Sequence, residues 1–269
     1  NARMQWVYLD NNATTQPAPE VVSAMAEVNE QGWANPSSVH RFGQAVRQRV
    51  ELARAAVASL IHARPRQIVF TAGGTESNNL AINGLLDHTP GAGAREGLKA
   101  VLITTRIEHS AVREPAEAFE ATGGTVVWVE ATADGRIDAA RVSEAVAEYA
   151  TTTDRTILVS IQWANNETGV IQPMAELVAC VERARAAALA DGRRLRLYLH
   201  TDATQAAGKI GVNVDQVAVD LLTLSAHKLH GPKGVGALYV GSGVRLRRQI
   251  CGGPQERQLR GGTENTAGI

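Results

Sequence analysis

The residues with chemistry to offer stand in short polar stretches, each directly after an apolar run. Lys228 is the first of them. It follows the run 221–224 in Ser225-Ala226-His227-Lys228 and precedes Gly231-Pro232-Lys233-Gly234. A lysine becomes a good nucleophile when burial or neighbouring cations destabilise its ammonium. A crowded strand end beside His227 can supply both, although most lysines are simply solvated. Lys233, in a turn-like Gly-Pro-Lys-Gly, fits the solvated description better, and Lys209 lies near Gly208 and Gly211 in a connecting segment. Asp202 ends the run 195–199 and its polar tail. A carboxylate there can face a ring nitrogen, or it can cap the turn before Ala203 and Thr204. Gln205, three residues on, can reach the same ligand.

Gly73-Gly74-Thr75-Glu76-Ser77-Asn78 opens a helix directly after a strand. Glycines let a backbone approach a phosphate closely, and the free N–H groups of a helix start attract the anion. The stretch is neither a Walker loop nor GxGxxG, and a plain helix cap is the competing reading. His109, in Glu108-His109-Ser110, can stack on a ring and relay protons near neutral pH. Asn165-Asn166-Glu167 suits hydrogen bonds to a phenolic oxygen or a carboxylate, and equally suits a turn. Each stretch alone is a weak signal. Together they supply a Schiff-base lysine, a ring-nitrogen acid, a phosphate cradle and a ring-face histidine, which are the requirements of pyridoxal phosphate (PLP).

Such a set needs elements that bring it together. Apolar runs at 67–70, 100–104, 126–129, 157–161, 195–199, 221–224 and 237–240 read as strands, mostly apolar on both faces. Helical stretches at 76–86, 111–121, 138–149 and 174–190 separate several of them. Phe42, Val46, Val50, Ala53, Val57 and Leu60 recur at steps of three and four and predict a further long helix, with Ser37 or Ser38 as its cap. The alternation predicts an α/β fold, a mainly parallel sheet with helices on both faces. Ligands of such sheets bind beyond the carboxyl ends of the strands, where all five polar stretches fall. The segment 89–97 reads as a flexible loop.

Composition narrows the class further. The 269 residues are 44% apolar and 20% charged, with a formal net charge of zero. That balance is ordinary for a globular protein and argues against nucleic acid as a partner. No apolar run is long enough for a membrane span, and no secretory signal is evident. Cys180 and Cys251 form no disulfide framework and have no metal-ligand spacing, so the reading is a reduced, cytoplasmic enzyme without a metal.

The chain also resembles the cysteine desulfurases, a class V aminotransferase group of fold-type I PLP enzymes. The stretches that carry the resemblance are YLDNNATT (8–15), NPSSVHRFG (35–43), TAGGTESNNLAI (71–82), EHSAV (108–112), NNETGVIQP (165–173), HTDATQAAGKI (200–210), LSAHKLHGPKGVGALYV (224–240) and GGPQERQLRGGTENTAGI (252–269). The Asn-Pro-Ser-Ser and Arg-Gly-Gly-Thr forms resemble the housekeeping and nitrogen-fixation branch. The resemblance implies that Lys228 carries the cofactor as an internal aldimine, that His109 stacks on the ring and assists proton transfer, and that Asp202 pairs with the ring nitrogen. It implies Gln205 and Asn166 at the ring oxygen, and Gly74, Thr75, Ser225 and His227 at the phosphate. Thr263 is expected to reach the phosphate held by a partner subunit, hence a homodimer. The implied reaction converts L-cysteine to L-alanine and leaves a persulfide for a sulfur-acceptor protein such as an iron–sulfur scaffold; tRNA thiolation and DNA phosphorothioation are other possible destinations. Selenocysteine lyases, aminotransferase-like enzymes and a non-catalytic fragment that binds PLP or a partner are the competing readings. The implied organisation is an N-terminal segment (1–15), a large PLP-binding domain (16–260) and the start of a connection (261–269) to a C-terminal small domain. The persulfide cysteine and the substrate-carboxylate arginine are expected beyond residue 269.

Overall fold

The computed structural model describes residues 6–86, 99–153 and 155–269. Seven strands form one sheet: β1 (Ile68–Thr71), β2 (Lys99–Thr105), β3 (Thr125–Val129), β4 (Arg155–Ser160), β5 (Arg196–Asp202), β6 (Leu221–Ser225) and β7 (Gly236–Val240). Their spatial order is β1-β7-β6-β5-β4-β2-β3. All seven coincide with the apolar runs. The pairs from β6 through β5, β4 and β2 to β3 are parallel, whereas β7 runs antiparallel to both β6 and β1. A parallel return needs a long crossover. Only a ten-residue link, 226–235, separates β6 from β7, so β7 turns back. The loop expected at 89–97 lies outside the described residues.

Alternate residues of each inner strand enter opposite cores. Val101, Ile103, Ile157 and Val159 pack on one face, and Leu102 and Leu158 on the other. The first face is covered by α2 (Arg41–Leu60), α5 (Ala139–Tyr149) and α6 (Met174–Ala190), through Val50, Val142, Val146 and Leu177. The second is covered by α3 (Gly74–Leu86) and α4 (Ser110–Ala121), through Leu80, Ile82, Val112 and Phe119. Both faces being buried explains why these strands read as continuous apolar runs.

Two local readings need correction. Neither Ser37 nor Ser38 caps α2. Asn35 closes its own turn, accepting Ser37 N–H at 2.8 Å on Oδ1 and Ser38 N–H at 3.1 Å on its carbonyl. The helix therefore starts after His40, whose ring accepts from Gly43 N–H. A first helix, α1 (Pro19–Gln31), was not anticipated; it begins on a proline whose fixed φ and missing N–H suit a helix start.

Candidate active site

The carboxyl ends of β1, β2, β4, β5 and β6 open onto one cavity of about 180 Å³. The turn after β1 contributes Gly74, Thr75 and Asn78, and the turn after β2 contributes His109 and Ala111. Gln162, Ala164 and Asn166 follow β4; Asp202, Thr204 and Gln205 come from the end of β5; Ser225, His227 and Lys228 follow β6. The five polar stretches do converge.

The floor is buried and polar. Asp202 is 8% exposed. Its Oδ2 accepts from Asn78 Nδ2 at 2.8 Å and its Oδ1 from Thr204 N–H at 2.9 Å. It is therefore a turn-capping residue and a cavity-lining one at once, and each oxygen retains a lone pair. His200 lies two residues earlier on the same face of β5, fully buried between Ser160 Oγ (2.8 Å) and Thr223 Oγ1 (3.1 Å). Desolvation pushes its pKa down to about 4 despite the Asp202 charge. Glu108 accepts Gln162 N–H on both oxygens at 3.0 Å and Thr105 Oγ1–H at 3.1 Å. Burial, aided by the charge of Asp202, pushes its pKa up to about 8, so it keeps its proton at neutral pH.

His109 caps α4: its Nδ1 accepts Ala111 N–H at 3.1 Å, which leaves Nε2 as the protonated nitrogen of the neutral ring. Asn165 and Asn166 divide the work the sequence left open. Asn165 Oδ1 accepts from Glu167 N–H, Thr168 N–H and Thr168 Oγ1–H, and so builds the turn, while Asn166 lines the cavity.

The glycine turn is shaped for close approach. Gly73 has φ +153°, and a Cβ on Gly74 would sit 3.2 Å from Thr204 Oγ1 and 3.4 Å from Ser225 Cβ. Gly236, at the start of the reversed strand β7, backs the turn so tightly that a Cβ would come within 2.5 Å of the Gly73 carbonyl carbon. Asn78 Oδ1 and Thr204 Oγ1 are buried and have no protein hydrogen-bond partner among the described residues. Both residues line the cavity. A helix start, a glycine wall and two unsatisfied polar atoms suit an oxygen-rich, phosphate-bearing ligand.

At the rim, Lys228 Nζ donates to the carbonyls of Asn12 and Ala13, the latter at 2.9 Å. Burial, then the charge of Lys209, lowers the Lys228 pKa below the usual lysine range. Gln205 donates to the same Asn12 carbonyl at 2.9 Å and accepts from Lys209 Nζ. The N-terminal segment is stitched to the β6–β7 link. Thr15 donates N–H and Oγ1–H to the His227 carbonyl at 2.9 Å, and its Oγ1 accepts His230 N–H at 2.8 Å. Thr14 Oγ1 meets His227 Nδ1 at 3.0 Å.

The structure does not bring Thr263 to this cavity. It is exposed and lines a separate hollow of about 70 Å³ with Arg260 and Glu264. Cys180 is buried in α6, Cys251 is exposed, and neither lines the cavity. Sequence reasoning missed Glu108, His200, Asn78, Thr204 and the Asn12–Ala13 carbonyls. Asn78 had a signal, one helical turn after Gly74; backbone acceptors carry none. Among the described residues no helix is long and apolar enough to cross a membrane.

A mostly parallel seven-stranded sheet with helices on both faces and a polar cavity at the carboxyl ends of its strands is the architecture of PLP-dependent transferases. The family follows from sequence comparison. The model of the aminotransferase class-V family matches residues 7–269, and the chain belongs to that family. Cysteine desulfurase IscS of Dictyoglomus turgidum is 42% identical over 263 residues, covering 98% of this chain and 61% of that protein. Cysteine desulfurase 2 of Trichormus variabilis is 41% identical, covering 99% and 61%. Among solved structures, a NifS-like protein superposes with a TM-score of 0.85 at 35% identity over 97% of this chain and 66% of its own. SspA in complex with cysteine superposes with a TM-score of 0.84 at 36% identity over 97% and 69%. The chain thus spans about three-fifths of the length of these curated relatives.

Proposed function

We propose that the chain is the cofactor-binding part, residues 16–260, of a cytoplasmic cysteine desulfurase that converts L-cysteine to L-alanine and passes the sulfur, through a persulfide, to an acceptor protein such as an iron–sulfur scaffold. Residues 261–269 lead from it towards a C-terminal small domain. When bound, PLP supplies an electron sink that labilises bonds of the amino acid. Lys228 Nζ is the amine that holds it, and Asp202 is the acid against the ring nitrogen. Asn166 and Gln205 bond the ring oxygen, and His109 stacks on the ring. Gly74, Thr75, Ser225 and His227 hold the phosphate. Lys228 and His109 move protons, Lys228 because its lowered pKa frees the amine more readily. Thr263 is assigned to the phosphate bound in a second copy, which supports a homodimer.

The observation that carries this reading is the meeting of Lys228, Asp202, His109 and the glycine turn around one cavity. PLP added to the purified chain is expected to give a visible band that borohydride bleaches, with the reduced cofactor mapped to Lys228 and lost in Lys228→Ala. In a protein that also carries the persulfide cysteine and carboxylate-binding arginine expected beyond residue 269, L-alanine and sulfide are expected from L-cysteine plus a thiol. Label retained in Lys228→Ala would overturn the lysine assignment. A reducible adduct without alanine in that longer protein would favour a polypeptide that only binds PLP.

A further inference from the structure

The glycine turn is held from outside the cavity by a carboxylate. Glu76 lies in the first turn of α3, and its side chain reaches back so that Oε2 accepts Ala72 N–H at 3.0 Å. Its other oxygen, Oε1, accepts from Arg260 Nε at 3.0 Å, with both side chains about one-fifth exposed. Glu76 is thus a bridge between the turn and a segment far along the chain.

That segment is firmly anchored. Glu256, 6% exposed, receives both Arg54 Nη atoms at 2.7 Å and Phe70 N–H at 2.8 Å. Residues Glu256, Arg257 and Gln258 all have φ between +47° and +66°, a region costly for side chains other than glycine. Gly261 N–H donates to the Ile250 carbonyl at 3.0 Å, and a Cβ on Gly261 would come within 2.7 Å of Gly252. The Arg54–Glu256 pair and this close packing leave Arg260 little freedom.

We propose that Arg260 and Glu76 form a positioning pair that fixes the Gly73–Thr75 turn for a phosphate, without touching the ligand themselves. The inference rests on the reading of that turn as the cofactor's phosphate cradle. A carboxylate tied to Ala72 N–H sets the angle at which the turn enters α3, and the guanidinium stops that carboxylate from swinging to solvent. Other contacts tie the turn from its own side: Thr71 Oγ1 bonds the Gly73 carbonyl and Ser77 Oγ and accepts Gly73 N–H, and Ser77 N–H bonds the Gly73 carbonyl. They close the turn locally, whereas Glu76–Arg260 fixes it against the 250–261 segment.

The test compares PLP with pyridoxal, which lacks the phosphate, by equilibrium binding to the purified chain. Wild type is expected to bind PLP more tightly. Arg260→Ala and Glu76→Gln are each expected to weaken PLP about ten-fold, with little change for pyridoxal and unchanged circular dichroism. Arg260→Lys is expected to restore part of the loss. Glu76→Gln separates positioning from through-space charge. Removing a negative charge near a dianion would tighten PLP if charge alone mattered, so tightening overturns the proposal. Equal loss of PLP and pyridoxal, or no loss in either variant, overturns it as well. A wild type with no preference for PLP over pyridoxal overturns the cradle reading and this inference together.

Discussion

The floor and the rim of the cavity are built from different materials. The floor rests on side chains of strands and strand ends: Asp202, which lines the cavity, and Glu108 and His200, buried behind the lining, each partnered by other side chains or by single N–H groups. The rim is made of backbone: the Asn12 and Ala13 carbonyls that take Lys228 Nζ, and the Thr15 contacts that tie the N-terminal segment to His227 and His230. Buried ionisable groups respond to pH because desolvation shifts them; backbone stitching does not. The floor therefore carries the large pH dependence of stability, and the rim sets access to Lys228, whose own pKa burial also lowers.

The sharpest way to break that division is through Glu108. Its folded pKa of about 8 lies above the value of 4.5 expected in the unfolded chain. Between those values the folded state holds the extra proton, so this group's contribution to stability is full below about pH 4.5 and is lost as pH rises through 8. The whole span amounts to roughly 4–5 kcal/mol. Glu108→Gln removes the titration, so urea unfolding across pH 4.5–8 should show the variant gaining on wild type by about that amount. A difference that stays flat with pH would mean that Glu108 is ionised in the fold.

His200 should give the opposite slope with a smaller span. Its folded pKa, near 4, lies below the ordinary 6.5. The unfolded chain takes the proton first, so stability is lost as pH falls from 6.5 towards 4, by roughly 3 kcal/mol. His200→Gln retains an amide that can meet Ser160 and Thr223, and it should lack that acid-side fall in the same unfolding series. Of these two groups, both contribute, with opposed slopes, between about pH 4.5 and 6.5, and Glu108 contributes above that.

The same division explains what could be read from residue order. Strands were legible because burial on both faces writes unbroken apolar runs, and the site stretches were legible because polar residues interrupt those runs at the carboxyl ends. The direction of β7 was not, because Gly236–Val240 looks the same read either way and only the short link before it forces the reversal. Glu108 stood beside the singled-out His109, yet a glutamate next to a turn is ordinarily solvated, and its burial depends on Gln162 arriving from another strand. Asn165 and Asn166 are chemically identical, and only the turn geometry assigns one to structure and the other to the cavity. The rim carbonyls of residues 12 and 13 carry no side-chain signature at all.

The smallest expected effect tests the rim. Thr15 is buried, and its hydroxyl donates to the His227 carbonyl and accepts from His230 N–H. Thr15→Val keeps the shape and removes both bonds, leaving the exposed His230 N–H to solvent, for a loss of about 1 kcal/mol. Because neither partner is a shifted acid or base of the floor, the loss should be constant from pH 4.5 to 8, in parallel with wild type. Lys228 should also become more open to an amine-acylating reagent, since the strand of carbonyls that holds it is tied down through Thr15. A loss that grows or shrinks with pH as it does for Glu108→Gln would show that the rim is coupled to the floor's protonation, and that one network, rather than two, surrounds the lysine.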